Sequence, residues 1–92
     1  MYKIDFSYTA RLNLLDIFWY IAEDNYLKAI EVQTNIKNTI DYLKDFPNLG
    51  KKYIKNSRRL VNSKYKFSII YKVSEKYKKI EIISIFKNEN TF

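Results

Sequence analysis

The chain has 92 residues, enough for one domain and one modest core. It contains no cysteine and no histidine, which excludes disulfides and thiolate chemistry and removes the common zinc ligands and the usual neutral-pH proton carrier. The formal net charge of +7 is lopsided: residues 1–45 hold five basic and seven acidic side chains (−2), residues 46–92 twelve and three (+9).

The excess in the second half points to an anionic partner, and a solvated lysine-rich surface explains it equally well. No apolar run approaches the roughly 20 residues that span a bilayer, and the opening MYKIDFSYT lacks the pattern of a signal peptide. The expectation is a cytoplasmic chain with no membrane partner and no cofactor or metal, folded as a single domain over 1–92.

In chain order, Tyr2, Ile4 and Phe6 alternate with Lys3 and Asp5, a short half-buried strand. Ser7 or Thr9 can cap the helix that follows. From Thr9 to about Asp24 apolar residues fall at Ala10, Leu14, Ile17 and Ile21, spacings of four, three and four that mark one helix face. Phe18 and Trp19 widen that stripe and are expected in the core; the other reading is an apolar groove for a partner helix. Asn25 caps a second helix, with Ala29, Val32, Ile36, Ile40 and Leu43 on its apolar face. It should stop near Lys44 or Asp45, because Phe46 precedes Pro47.

Phe46-Pro47-Asn48-Leu49-Gly50 is a turn by composition. Lys51–Ser57 reads as a basic loop with a brief extended segment at Tyr53-Ile54. Arg59–Asn62 and Lys66–Val73 read as strands. In the latter, Phe67, Ile69, Tyr71 and Val73 alternate with Ser68, Ile70 and Lys72, and Ile70 on the second face implies a central strand. After the polar connection SEKYKK, Ile80, Ile82, Ser84 and Phe86 alternate with Glu81, Ile83 and Ile85 in a last strand. The tail KNENTF should fray. The order is β-α-α-β-β-β. The fold class is α+β, an antiparallel two-helix hairpin packed on a three- to four-stranded antiparallel sheet.

This pattern resembles the RelE/ParE superfamily, the toxin halves of bacterial type II toxin–antitoxin pairs, over nearly the whole chain. The first helix is similar to the family's signature through Ala10, Leu14 or Leu15, Ile17, Tyr20, Ile21 and Asn25, and Ala29 matches the small residue opening the second helix. Leu43, Pro47 and Gly50 match its corner. Arg58 or Arg59, Tyr65, Ile70 and Tyr71 match its strands. The ending Ile85-Phe86-Lys87-Asn88-Glu89-Asn90 looks like that of ParE-like members, with Lys87 where an arginine is usual.

The resemblance implies an antitoxin partner and, once the toxin is free, one of two targets. ParE-like members poison DNA gyrase by protein contact, and RelE-like members cleave mRNA in the ribosomal A site. The ParE-like reading is favoured; an inactive relative keeping only antitoxin binding is a third. Assembly would be a homodimer or a toxin–antitoxin hetero-oligomer.

RNA cleavage needs a base for the 2′-hydroxyl, a cation for the phosphorane and an acid for the leaving oxygen. In an RNase reading Arg58, Arg59 and Lys52 would carry the chemistry. Lys51, Lys55, Lys64, Tyr65, Lys66 and Lys87 would touch the target in either reading. Alternation along the strand sends one arginine to the helices and the other to the open face. One of them could instead pair with Asp16 or Glu23, the lysines could be solvated, and the tyrosines could be packing residues.

Overall fold

The structure is a computed structural model, and it describes residues 1–87. Strand β1 (Lys3–Phe6) leads into helix α1 (Tyr8–Ala22), and helix α2 (Tyr26–Asp41) runs into a 3₁₀ turn at Tyr42–Lys44. Strands β2 (Lys51–Lys52), β3 (Ser57–Asn62), β4 (Phe67–Ser74) and β5 (Lys79–Lys87) follow. The expected frayed tail beyond Lys87 lies outside the described residues.

Capping side chains fix where the helices begin. Ser7 Oγ accepts the Ala10 N–H at 3.0 Å, and Asn25 Oδ1 accepts the Lys28 N–H at 3.0 Å. Each satisfies an orphan donor of a first turn. The helices bury Ala10, Leu14, Val32, Ile36 and Ile40 against Phe67, Ile69, Tyr71, Ile80, Ile82 and Ile85 of the sheet.

Among the described residues, five strands form one mixed sheet in the order β1-β5-β4-β3-β2. The α+β architecture and the element order agree with expectation; the strand count and the all-antiparallel pairing do not. β1 pairs with β5 in parallel, Ile4 opposite Ile80 and Phe6 opposite Ile82. The two helices between β1 and the rest make that crossover long enough for a parallel neighbour. The extra strand is Lys51–Lys52 rather than Tyr53-Ile54, and two residues are too few to leave a periodic trace. β4 sits at the centre, as the burial of Ile70 on its second face implies.

β5 departs from strict alternation. Ile70 pairs with Ser84 while Tyr71 pairs with Ile82, so Ile83 is an extra residue, a β-bulge. The bulge lets Ile80, Ile82 and Ile85 all enter the core. Two side chains from the N-terminal elements tie down backbone beside it. Ser7 Oγ donates to the Ile83 carbonyl at 2.8 Å, and Asn13 Oδ1 accepts the Ile85 N–H at 2.9 Å.

Candidate functional site

The register decides where the basic residues point. Arg58 pairs with Tyr71, and Lys52 with Arg58, so both share the face of β4 that meets the helices. Arg59 pairs with Ile70, and Lys51 with Arg59, so both stand on the opposite face with Ser68 and Lys72. The two arginines are therefore separated by the sheet, as alternation requires.

Arg58 does not pair with a carboxylate of the helices. Its Nη1 donates to the Gly50 carbonyl at 2.7 Å and to the Asn48 carbonyl at 3.4 Å. The buried Tyr71 acts on the same corner: its hydroxyl donates to the Pro47 carbonyl and accepts the Gly50 N–H, each at 2.8 Å. Burial holds the Tyr71 phenol above its ordinary pKa of 10.0, against the opposing pull of the Gly50 amide and Arg58. Arg58 and Tyr71 thus strap the Pro47–Gly50 turn and deliver Lys51 and Lys52 to the sheet edge.

On the open face Arg59 Nε donates to Ser68 Oγ at 2.9 Å, which lays its guanidinium across the centre of the sheet. Lys51 flanks it on β2, and Lys72 stands one pair along β4. Among the described residues, Lys51, Lys52, Lys55, Lys66 and Lys72 form no ion pair. A groove of about 480 Å³ opens at this edge, lined by Leu49, Lys51, Lys52, Tyr53, Arg59 and Val61.

The remaining expected site residues gather elsewhere, at the β3–β4 hairpin. Tyr65 donates its hydroxyl to Glu31 of α2, and Lys64 and Lys28 reach Glu31 at 3.6 and 3.5 Å. The Tyr65 hydrogen bond, then the two lysines, hold the Glu31 carboxyl below its ordinary value. Lys87 Nζ donates to the Tyr65 carbonyl at 2.7 Å, and Lys66 lies exposed at the turn with φ 62°. Lys55 is likewise exposed at a turn, with φ 55°. The expected residues thus form two groups: Lys51, Arg59 and their neighbours on the open face, and Lys64, Tyr65 and Lys87 bound into a local network with Glu31.

A third surface departs from the expected core. Trp19 is 58% exposed rather than buried, and Leu15 is 50% exposed. With Tyr8 and Leu12 they fall at spacings of four, three and four along α1, a second apolar stripe beside the one that meets the sheet. Phe18 stacks edge-on between Trp19 and Tyr26, its ring centroid 5.3 and 5.7 Å from theirs.

The family model for the ParE toxin of type II toxin–antitoxin system, parDE, matches residues 4–92. The chain belongs to the ParE toxin family. The backbone of this ParE-family chain is similar to a chain of the chromosomal ParDE system from P. aeruginosa, with a TM-score of 0.82 at 22% identity over 97% of this chain and 98% of that one. It is also similar to a chain of the intact E. coli RelBE toxin–antitoxin complex, with a TM-score of 0.71 at 14% identity over 98% and 100%. For the isolated E. coli RelE toxin the values are 0.72, 14%, 99% and 88%. No curated protein sequence matches the chain. Among the described residues no helix is long and apolar enough to cross a membrane, and no group of potential metal ligands comes together.

Proposed function

We propose that this ParE-family toxin works as one domain that arrests growth by binding DNA gyrase and is neutralised by an antitoxin seated on α1. The observation that carries the target reading is the make-up of the open face. Lys51, Arg59, Val61, Ser68, Ile70, Lys72 and Ser84 line its central rows. Such a set can bind an anionic surface. Those central rows carry no imidazole and no phenol to move a proton during phosphodiester cleavage, and Tyr53 lines the groove at the edge beside them. Arg58, which an RNase reading would enlist, is engaged by backbone carbonyls on the other face.

The antitoxin reading draws on Tyr8, Leu12, Leu15 and Trp19. Exposed apolar stripes of this length on a small protein mark partner sites, and i, i+4, i+7 anchors suit an amphipathic helix. Asp16 flanks this stripe on one side and Arg11 on the other, which matches an incoming helix with a basic edge against Asp16 and an acidic edge against Arg11.

Expressing the chain with and without its antitoxin, in cells scored for growth, gyrase-dependent DNA breaks and ribosome-bound mRNA cuts, tests both parts. The expected result is arrest with DNA breaks and intact mRNA, relieved by the antitoxin. Codon-position cuts lost in Arg59→Ala would replace this reading with ribosome-dependent endonuclease activity. Trp19→Lys should keep the arrest and lose the relief.

A further inference from the structure

The two hairpins that flank β4 carry the same tripeptide, Lys64-Tyr65-Lys66 and Lys76-Tyr77-Lys78. Their geometry repeats. In each, the second lysine occupies the left-handed region, with φ of 62° at Lys66 and 51° at Lys78. In each, the first lysine lies 5.4 Å from the centroid of the tyrosine ring. In each, the tyrosine amide donates to a side chain three residues back, Asn62 Oδ1 at 2.8 Å or Ser74 Oγ at 3.3 Å.

The surroundings differ. Tyr65 is held by Glu31, by Lys28 over its ring and by Lys87 on its carbonyl. Its module is fully explained by the packing of α2 on the hairpin. Tyr77 is 67% exposed, and its hydroxyl has no partner among the described residues. Lys76 forms no ion pair there, and Lys78 meets Glu75 at 3.7 Å while lying over the ring of Tyr2 at 5.3 Å. Packing accounts for the first copy and leaves the second unexplained.

An exposed aromatic ring with one ammonium group against it, from Lys76, and a second cation at the same turn, Lys78, is an arrangement on which an unpaired base can stack while neighbouring phosphates are neutralised. An acidic peptide would satisfy the lysines and leave the ring unmatched. Duplex DNA would meet the lysines with no base face available to the ring. We propose that the β4–β5 hairpin tip is a single-stranded nucleic-acid contact, with Tyr77 stacking on a base and Lys76 and Lys78 on adjacent phosphates. The proposal is independent of the gyrase reading, which concerns the open face of β2–β4 and not this hairpin tip.

The test is fluorescence anisotropy of a labelled oligothymidylate with the full chain in low-salt buffer. The parent should bind the single strand more tightly than a duplex of equal length. Tyr77→Ala should weaken binding roughly tenfold and Tyr77→Phe by about twofold or less, because stacking needs the ring and not the hydroxyl. Lys76→Ala should lower the log–log salt slope by about 0.7. Tyr42→Ala, an exposed aromatic in the 3₁₀ turn after α2, should change nothing, and circular dichroism should show every variant folded. Binding unchanged in Tyr77→Ala overturns the proposal. So does equal loss in the Phe and Ala variants, or competition by polyglutamate as effective per charge as by the oligonucleotide.

Discussion

The Gly50 amide donates to the Tyr71 hydroxyl at 2.8 Å across 21 residues of chain, and no side chain fits between them. A Cβ built on Gly50 would lie 2.8 Å from Tyr71 Cε1 and 2.9 Å from the Arg59 carbonyl oxygen. The backbone of β3 cannot yield as a flexible side chain could. Gly50→Ala should therefore destabilise the protein by about 2 kcal/mol, the range of an overpacked core site. Tyr71→Phe removes both hydrogen bonds and strands the buried Gly50 N–H and the part-buried Pro47 C=O, at about 1–3 kcal/mol. Urea unfolding of the two variants measures this. A loss under about 0.5 kcal/mol in both would show that the corner is held by other means.

Asn62 is a second polar residue placed inside the core. Its Nδ2 donates to Asn35 Oδ1 and Thr39 Oγ1, both at 2.8 Å, and its Oδ1 accepts the Tyr65 N–H at 2.8 Å. Those bonds join α2 to the β3–β4 hairpin. Asn62→Leu should cost about 2 kcal/mol, because it leaves Asn35 and the Tyr65 amide without this partner. In a double-mutant cycle with Thr39→Val the two losses should fall short of additive, since both remove one shared bond. Full additivity would place the network's worth elsewhere.

Most of the fold was legible because its signals are periodic. The 3.6-residue spacing of Ala10, Leu14, Ile17 and Ile21 and the two-residue spacing of Phe67 to Val73 name helix and strand directly. What escaped has no periodic signal. The bulge at Ile83 depends on Ser7 and Asn13, distant in sequence, and a single inserted residue turns Ser84 and Phe86 to the other face. Lys51–Lys52 is a strand only because Arg58 and Arg59 lie beside it. The opposite orientations of the arginines followed from alternation. The engagement of Arg58 by the Asn48 and Gly50 carbonyls did not, because a side chain's partners in a distant turn are a tertiary fact. Size and apolarity put Trp19 in the expected core with Phe18, whereas it stands 58% exposed on a second stripe of α1 whose spacing runs through Tyr8, Leu12 and Leu15.

Two ionisable groups predict how stability follows pH at opposite ends of the scale. Glu31 has a folded pKa below its ordinary 4.5, held down first by the Tyr65 hydrogen bond and then by Lys28. Its contribution is complete above about pH 4.5 and is lost as the pH falls through the folded value. Tyr71 has a folded pKa above 10.0, so its contribution is complete below about pH 10 and is lost as the pH rises through the folded value. The urea midpoint should be level between these limits and fall outside them. Glu31→Gln should flatten the acid limb, and Tyr71→Phe the alkaline one. An acid limb unchanged by Glu31→Gln would assign it to other carboxylates.

The left-handed turn lysines allow charge to be separated from fold. Lys55 and Lys66 have φ of 55° and 62°, where a residue with a Cβ is strained and glycine is not. Replacing either with glycine relieves that strain and adds freedom to the unfolded chain, for a net gain of about 0.5–1 kcal/mol. The melting temperature should rise by a few degrees, while each change deletes one exposed turn cation that the sequence leads one to expect at the target. If growth arrest weakens in a variant that melts higher, the lost activity belongs to the ammonium group and not to a damaged scaffold. If arrest is unchanged in Lys55→Gly, Lys66→Gly and the double variant, the working surface is confined to Arg59, Lys51 and Lys72 on the open face. Lys51→Ala, which lies in a paired strand and relieves no strain, should then abolish arrest without raising the melting temperature.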